Sequence, residues 1–469
     1  MSLGHRDESQ QQDLWVPTHK LPRSPGHPFY RALNARLRKA GFDRFVEDLC
    51  AAHYAETLGR PCIPPGVYFR MLLVGYFEGI GSQRGIAWRC ADSFSLREFL
   101  GVPLGERTPE HSSQTRIRQR LPLGVHLEVF RFVLGMVQEE GLLSGQTVTV
   151  DSTALEANAA MKSIVRKETG AGWMEYVKGL MADEGIDEPS DEDARRYDRK
   201  RKGKKVSNKD WESASAPDAR ITRMKDGRTH LGYKAVHTVD LDSGAVVVGD
   251  VIEADRPDAD SLVEQIEAAE ENLLAVGAEP EVEEVVADKG YHKGEVIEKC
   301  TERGTRTYIP ERHRGGRNRW TDKAAGRREA VYGNRRRVKG ERGRQLQRRR
   351  SEMVERSFAH VCQTGGARRT WLRGTTPIKA RYLIQLAAHN LGLMMRKVHG
   401  YGTPRSLQGL KSAAISALAR VVAALWSALG RVCRRTCDVA RLRLPARAPL
   451  TSTLALTQPR RMPPSSTGC

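Results

Sequence analysis

Three acidic residues follow strand-like or lie in helix-like segments of the sequence, from which their carboxylates could converge on one site. Asp151 follows a β-like run, 146–150, and Asp288 follows a second such run, 284–287. A third carboxylate, Glu355, lies in a later helix-like segment among arginines. Carboxylates that converge repel one another unless a cation lies between them, and Mg²⁺ is the natural occupant of such a site. A pair of such ions aligns the attacking and leaving oxygens of a phosphodiester, which is the scheme of nucleases and polynucleotidyl transferases.

Each carboxylate also has an ordinary structural interpretation. Aspartates at strand ends often cap the next turn, and a helical glutamate beside arginines is usually a surface ion pair. Glu352, one helical turn from Glu355, is a rival third ligand. The three carboxylates can meet only if the two strands are neighbours in one sheet, so the chemistry depends on the fold.

The composition indicates a polyanionic partner. The chain has 469 residues, with 77 Lys+Arg against 57 Asp+Glu and a net charge of +20. Such a chain is attracted to nucleic acid at long range, although a basic ribosomal or membrane-surface protein is an alternative. The start has no apolar signal-like run, and the eight cysteines include no CxxC pair, so we expect a cytoplasmic protein with reduced thiols.

The N-terminal region, residues 1–145, has apolar residues at three- and four-residue spacing, which predicts helices. A short turn near Trp88 precedes a capped, basic helix that carries Arg116, Arg118 and Arg120. A helix, a turn and a basic helix are compatible with DNA binding through these arginines. An ordinary helical bundle with solvated arginines is an equally acceptable interpretation.

Residues 146–400 predict an α/β domain. After the strand at 146–150, the pattern predicts a hairpin of two strands, at 230–240 and 245–252, and then a helix at 260–276. A strand at 284–288, a helix at 294–303, a strand at 306–310 and a last helix follow. This is the element order of a ribonuclease H-like domain with a mixed five-stranded sheet. In that order the first and fourth strands are adjacent, which brings Asp151 and Asp288 together.

Three further segments have a different composition. Residues 155–228 predict an exposed, charged insertion, and the basic run 312–350 predicts a path for DNA beside the active site. Residues 401–469 comprise an apolar helix from Leu407 to Val432, for packing or self-association, and a low-complexity tail. The remaining residues expected to contact DNA are Lys289, Arg335, Arg336, Arg337, Arg348, Arg349, Arg356 and Arg369.

Four motifs in order carry a family resemblance: Val150-Asp151-Ser152-Thr153, the strand 230–240, Ala287-Asp288-Lys289-Gly290-Tyr291, and 354–360 with Val-Glu-Arg-Ser-Phe-Ala-His. The set resembles the DDE transposases of bacterial insertion sequences, in the group that has an all-helical N-terminal domain ahead of a ribonuclease H-like catalytic domain. The resemblance covers roughly residues 25–400. One departure is that Ser351, four residues before Glu355, replaces the tyrosine that many relatives have near the catalytic glutamate.

The resemblance implies a function and a set of ligands. Asp151, Asp288 and Glu355 would hold two Mg²⁺ ions, with Mn²⁺ as a substitute, to nick the element's ends and to join the freed 3′-hydroxyl to target DNA. The expected partners are transposon ends and target DNA, bound by a homo-oligomer in the cytoplasm at the nucleoid, without a membrane. The alternatives are a nuclease of the same fold that does not join strands and a non-enzymatic DNA-binding protein derived from a transposase.

Overall fold

The computed structural model describes most of the chain up to residue 407. The described residues are 17, 26–55, 59, 62–202, 206–224, 226–279, 281–312 and 325–407. The chain divides into two compact units, Met1–Ser412 and Ala413–Cys469, and every described residue belongs to the first. The helix predicted from Leu407 to Val432 therefore lies, apart from its first residue, outside the described residues.

The N-terminal region is helical, as predicted. Its helices are α1 (Pro28–Lys39), α2 (Phe42–Cys50), α3 (Pro65–Glu78), α4 (Gln83–Ala91), α5 (Phe94–Leu100), α6 (His111–Arg120) and α7 (Leu123–Glu139). Helix α3 begins at a proline, which the first turn tolerates, and ends at Gly79, whose φ of 70° lies in the left-handed region that glycine adopts readily. Ser82 and Ser93 cap α4 and α5 by accepting backbone hydrogen bonds.

Arg70 of α3 shows how this helical region neutralises a buried charge. Its guanidinium is almost completely buried and donates to Asp43 at 3.0 and 2.8 Å. It also donates to Asn34 Oδ1 at 2.8 Å and to the backbone oxygen of Phe99 at 3.2 Å. A buried charge with a partner and full hydrogen bonding is the arrangement that limits the cost of desolvation.

A mixed sheet follows the helices. The described residues contain the strands β1 (Thr147–Glu156), β2 (Ile164–Arg166), β3 (Trp211–Ser213), β4 (Arg220–Arg223), β5 (Thr229–Asp240), β6 (Val246–Glu253), β7 (Glu284–Ala287) and β8 (Arg306–Tyr308). The five predicted strands lie in the order β6-β5-β1-β7-β8, and the short strand β4 also pairs with β5. β1 is antiparallel to β5 and parallel to β7, and β7 is parallel to β8. The predicted mixed α/β, ribonuclease H-like fold is confirmed.

The segment predicted as a charged insertion contains regular structure. It forms α8 (Trp173–Asp183) and α9 (Asp191–Lys200), and β2 pairs with β3 in a separate two-stranded sheet. Trp173, Tyr176 and Trp211 pack together with ring centroids 5.1 to 6.2 Å apart. Arg166 and Arg201 lie over these rings, so aromatic and cation–π contacts stabilise a segment that has few aliphatic residues.

The remaining helices pack on the sheet or continue from it. They are α10 (Leu262–Ala275), α11 (Gly294–Glu302), α12 (Ala325–Lys339), α13 (Glu341–Phe358) and α14 (Thr375–His399). The sequence predicts only the last eight residues of α13 as helix, because its first half is dominated by arginine and lacks an apolar period. Fifteen of the residues of α14 are buried, and this helix packs against α3, α7 and β6.

Gly249 of β6 allows α14 to approach the sheet closely. A Cβ atom at this position would lie 1.8 Å from Cδ1 of Leu386, whose side chain is completely buried. We therefore predict that Gly249→Ala lowers the free energy of unfolding by about 1–3 kcal/mol, the usual cost of overpacking. The measurement is urea denaturation followed by circular dichroism.

The matched control is Gly179→Ala on α8, where an added Cβ meets no atom within 4 Å. This control should leave stability unchanged or raise it slightly, because alanine has the higher helix propensity. The Leu386→Ala change should partly rescue Gly249→Ala. Equal stabilities for the two glycine variants would contradict the close packing of α14 on β6.

Candidate active site

The sheet register brings Asp151 and Asp288 side by side. Val150 pairs with Ala287 in the parallel β1–β7 ladder; Asp151 is the next residue of β1, and Asp288 directly follows the end of β7. The strand β1 does not end at Asp151, as the sequence predicts, but continues to Glu156 because the pairing with β5 continues. Burial raises the pKa of Asp151, and the negative charge of Asp288 raises it further. The two carboxylates therefore lie within electrostatic reach of each other.

A guanidinium neutralises Asp151. Arg350 of α13 donates from Nη1 to Oδ2 of Asp151 at 2.9 Å, and both side chains are largely buried. The other oxygen of Asp151, Oδ1, accepts the backbone N–H of Ser152 at 2.8 Å. These hydrogen bonds, together with the positive charge of Arg350, lower the pKa of Asp151 and oppose the effect of burial. The positive charge of a guanidinium therefore already lies at Asp151, the first of the three predicted metal ligands.

The second carboxylate caps the turn after β7. Asp288 Oδ1 accepts the backbone N–H of Gly290 at 2.6 Å. A Cβ atom at Gly290 would lie 2.7 Å from this oxygen and 3.2 Å from Oδ2 of Asp258, so the glycine leaves room for two carboxylates. Asp258, which the sequence does not predict as a site residue, accepts hydrogen bonds from Ser152 Oγ and Lys234 Nζ, both at 2.9 Å.

Glu355 lines the same cavity as Asp151. The open cavity has a volume of about 610 Å³ and also includes Glu156 and Arg368 in its lining. Glu355 is exposed on α13, whereas its rival Glu352 is held in an ion pair 2.5 Å from Arg356, one turn along the helix. The orientation of α13 thus directs Glu355, and not Glu352, toward the cavity of Asp151. Arg356, predicted to contact DNA, is engaged with Glu352.

Contacts with the strand ends fix the first half of α13. Glu284 of β7 accepts a hydrogen bond from Arg342 at 2.5 Å and another from the hydroxyl of Tyr308 at 2.9 Å. Gln347 donates to the backbone oxygens of Ala287 and Tyr308 at 3.2 and 2.7 Å. Because these contacts attach the helix to β7 and β8, the next helical turn places the Arg350 guanidinium at Asp151.

A buried histidine fixes the second half of α13. His237 lies directly opposite Asp151 in the β1–β5 ladder and is completely buried. Its Nδ1 lies 2.9 Å from Ser357 Oγ and its Nε2 lies 2.6 Å from the hydroxyl of Tyr382 on α14. The hydroxyl of Ser357 donates to Val354, so the network assigns Nδ1–H as a donor to Ser357 and Nε2 as an acceptor from Tyr382. The imidazole thereby holds Ser357, two residues from Glu355.

The residues described do not form a closed metal site. Among them, no three acidic, histidine or cysteine side chains lie close enough together to hold one ion. The donor set nevertheless suits a hard divalent cation, because Asp151 and Asp288 supply carboxylate oxygens from adjacent strands and Glu355 faces the cavity that Asp151 lines. The guanidinium of Arg350 stands in for a cation at Asp151.

The predicted DNA-binding residues of α12 have different environments. Arg335 forms two hydrogen bonds with Glu311, at 2.8 and 3.0 Å, and Arg337 donates to the backbone oxygen of Thr307 at 3.0 Å. Arg336, between them, is exposed and makes no ion pair with any described residue. Only Arg336 of this run therefore has an uncommitted charge on the surface.

The other predicted DNA-binding residues lie on several elements. Lys289 and Arg348 are exposed, and Arg349 forms an ion pair with Asp242 at 3.1 Å. Arg369 lies 5.0 Å from the ring centroid of Trp371, over the indole. On α6, Arg116 is exposed, Arg118 is half-buried and Arg120 is exposed with its guanidinium over the ring of Tyr54. These assignments to DNA binding stay predictions.

Among the described residues, no single helix is long and apolar enough to cross a membrane. Only α6 and α7 taken together, across a bend of 101°, reach the required length and composition.

The sheet order defines a ribonuclease H-like α/β domain, and two family models match the chain. A family described as a transposase domain (DUF772) matches residues 20–120, and the transposase DDE domain matches residues 199–391. The second match begins after Asp151 and includes Asp288 and Glu355. The chain belongs to the DDE transposases of insertion sequences. Neither the curated proteins nor the solved structures give a match.

Buried histidines make the stability of this domain sensitive to acid. Burial lowers the pKa of His237 well below its usual value of 6.5, and burial together with the charge of His360 lowers that of His389 to about 3. Below pH 6.5 the unfolded chain binds protons at these positions and the folded chain does not. We predict that the free energy of unfolding falls with decreasing pH, by up to about 1.4 kcal/mol per pH unit for each histidine.

The test is the pH dependence of urea denaturation between pH 6.5 and 4. In His389→Gln the slope should be smaller than in the wild type, because one of the protonation sites of the unfolded state has been removed. The partly exposed His111 on α6 supplies the control substitution, His111→Gln, which should keep the wild-type slope. Identical slopes for His389→Gln and the wild type would contradict the buried, neutral state of His389.

Proposed function

We propose that this transposase binds the ends of its insertion sequence, cleaves them and joins them to target DNA by metal-dependent phosphoryl transfer. Asp151, Asp288 and Glu355 are the proposed catalytic residues and metal ligands. The observation that carries the proposal is the register of β1 with β7, in which Asp151 and Asp288 directly follow the paired residues Val150 and Ala287, together with the cavity that Asp151 and Glu355 both line. Membership of the DDE transposase family supports the same reaction class.

The proposed metal is Mg²⁺, with Mn²⁺ as a substitute. When bound, it would polarise the scissile phosphate and activate the attacking oxygen. The chain's own contribution is to position the ligands: β1 and β7 align the aspartates, and the His237–Ser357 contact holds the helix that carries Glu355. For Asp151 to offer Oδ2 to the metal, Arg350 has to leave this oxygen. Arg350 is then available for a phosphate oxygen in the cavity.

DNA is the proposed partner on two surfaces. The helices of residues 1–145 would recognise the element's ends through α6 and the exposed face of α4, which carries Trp88. The basic segment 312–350 would contact the backbone on the path to Asp151. A net charge of +20 supports the electrostatic part of this binding. We further propose a catalytic domain of residues 146–400 that works as a homo-oligomer on paired ends at the nucleoid in the cytoplasm.

A strand-transfer assay with a pre-nicked end separates this proposal from a nuclease of the same fold. A transposase joins the free 3′-hydroxyl to a target duplex, whereas a nuclease leaves it unjoined. A non-enzymatic DNA-binding protein would neither cleave nor join, although it would bind the same ends.

Removal of one ligand charge at a time tests the catalytic residues. We predict that Asp151→Asn, Asp288→Asn and Glu355→Gln each reduce cleavage of an end duplex by about 10³-fold or more, because each removes a charge that the metal requires. DNA binding should stay close to that of the wild type, since no basic residue changes. Gel-based cleavage and mobility-shift assays measure the two effects.

Glu352→Gln is the matched control for Glu355→Gln. Glu352 lies on the same helix, and its substitution removes only the ion pair with Arg356. Its cleavage rate should remain within a few-fold of the wild type, as expected for an exposed ion pair. If Glu355→Gln cleaved DNA at a rate near that of the wild type and Glu352→Gln lost cleavage, the third metal ligand would be Glu352 and not Glu355.

The basic helix α12 offers a comparison of neighbouring arginines. Since Arg336 is exposed and Arg337 is committed to Thr307, we predict that Arg336→Ala reduces the log-log salt slope of DNA binding by about 0.9, the value for one phosphate contact on duplex DNA. The loss should be equal for end and scrambled duplexes, because backbone contacts carry little sequence information.

Arg337→Ala should instead lower the melting temperature and leave the salt slope unchanged. Fluorescence anisotropy over a series of salt concentrations gives the slopes. If neither variant alters the slope, the DNA does not pass along α12.

A further inference from the structure

A cavity of about 130 Å³ lies between α13, α14 and the turn that joins β5 to β6. Helix α14 ends at Gly400, whose φ of 81° lies in the left-handed region and lets the chain reverse. A Cβ atom at Gly392 of α14 would lie 2.8 Å from the backbone oxygen of Gly402, so the reversed chain packs directly on the helix. Gly402 and Thr403 thereby form one wall of this space, the α13–α14 cavity.

The α13–α14 cavity lies on the face of α13 opposite the catalytic cleft. Met353, Ser357 and His360 line the cavity, and their spacing of four and three residues places them on one face of the helix. Glu355 and Phe358, on another face, line the cleft. An α-helix with its side chains is about 10–12 Å across, so the cavity and the cleft are separate spaces. The proposed metal ligands therefore do not account for the residues of the α13–α14 cavity.

The lining of the cavity is positively charged. Arg396 and Lys397 of α14 line it and are exposed, and neither forms an ion pair with any residue that the structure describes. Arg356 of α13 also lines it, although this guanidinium is paired with a glutamate of the same helix. Asp242 is the one acidic residue among the described residues of the lining, and it forms an ion pair with Arg349 at 3.1 Å. The cavity thus has an excess of positive charge.

Two histidines complete the polar lining. The ring centroids of His360 and His389 are 5.9 Å apart. His389 is almost completely buried, and its Nε2 has no hydrogen-bond partner among the described residues. Burial and the positive charges of Arg396 and Arg356 lower the pKa of His360. A buried polar atom without a partner, in a lining with excess positive charge, requires a ligand that brings both negative charge and hydrogen-bonding oxygens.

The size and chemistry of the cavity fit a tetrahedral oxyanion. Since a water molecule occupies about 30 Å³, a volume of about 130 Å³ has room for about four of them, which is the size of a phosphate group. Guanidinium and ammonium groups bind phosphate oxygens through charge-assisted hydrogen bonds. An imidazole nitrogen accepts the O–H of hydrogen phosphate or, once protonated, donates to a phosphate oxygen. A metal ion is disfavoured, because the guanidinium groups repel a cation and the described residues supply no third ligand.

We propose that the α13–α14 cavity is a binding site for a phosphate group, held by Arg396 and Lys397 at its opening and by His389 inside it. This inference goes beyond the proposed function and does not depend on it. Two sources present the same oxygens to this site: the backbone of bound DNA and inorganic phosphate. From either source, the ligand contacts α13 on the face opposite Glu355.

Thermal denaturation without DNA tests the site. Inorganic phosphate at about ten times its dissociation constant should raise the melting temperature of the wild type by about 2 °C, relative to chloride at equal ionic strength. In Arg396→Gln and in Lys397→Gln most of this increase should be lost. Both variants should fold normally, because the two side chains are exposed and have no ion pair to lose.

Arg368→Gln is the matched control, because it removes an exposed positive charge from the lining of the catalytic cleft instead. This variant should keep the full increase that phosphate gives to the wild type. An equal loss in Arg368→Gln and Arg396→Gln would show that phosphate does not bind specifically in the α13–α14 cavity, and would overturn the proposal.

Fluorescence anisotropy with an end duplex separates the two sources. If DNA supplies the phosphate, Arg396→Gln should reduce the log-log salt slope of binding by about 0.9. Lys299→Gln, which removes an exposed charge from α11 outside the cavity, should not. An unchanged slope together with the lost phosphate response identifies inorganic phosphate as the ligand.

The proposal is wrong if phosphate raises the melting temperatures of the wild type and Arg396→Gln equally. A reduced salt slope combined with that result would make Arg396 a surface contact to DNA and not part of a phosphate site. Because the phosphate response is measured without DNA, this outcome can occur in a protein that cleaves and joins DNA normally. The phosphate response in a protein that does neither would leave the site standing and the proposed function overturned.

Discussion

The arrangement of charges in this domain follows from the repulsion between two aspartates that the sheet places next to each other. β1 and β7 are parallel neighbours, and the last pair of their ladder, Val150 with Ala287, places Asp151 and Asp288 next to each other. Burial makes the negative charge of Asp151 costlier still. A positive charge is therefore required at this edge of the sheet, and Arg350 provides it. The same requirement is what would draw a divalent cation into the site.

The helix α13 connects this constraint to the rest of the domain. Its first half is attached to β7 and β8 through Glu284 and Gln347, and its second half is attached to β5 and α14 through His237. One rigid element thus carries both the present counter-ion, Arg350, and the proposed third ligand, Glu355. Replacement of the Arg350 guanidinium by a metal ion does not require the helix to move, because the long arginine side chain can leave by rotation about its own side-chain bonds.

The sequence predicts the parts of this site that depend on local pattern. Alternating apolar residues identify the strands, and the order of strands and helices is sufficient to place Asp151 beside Asp288. The contact of Arg350 with Asp151 joins residues 199 positions apart and depends on the rotation of α13 about its axis, which no local pattern specifies. Asp258 and His237 were missed for the same reason. Their roles arise from side-chain contacts between elements, and β5 has other polar residues such as Lys234 and Thr238, so no local pattern distinguishes His237.

The central claim is that Asp151, Asp288 and Glu355 form a divalent-cation site from which Arg350 is displaced. The most direct measurement is anomalous diffraction from crystals soaked in Mn²⁺. The account predicts an anomalous peak between Asp151 and Asp288, with Glu355 directed toward it and the Arg350 guanidinium moved away from Asp151. An Arg350–Asp151 ion pair that persists at saturating Mn²⁺, without an anomalous peak at the strand ends, would contradict it.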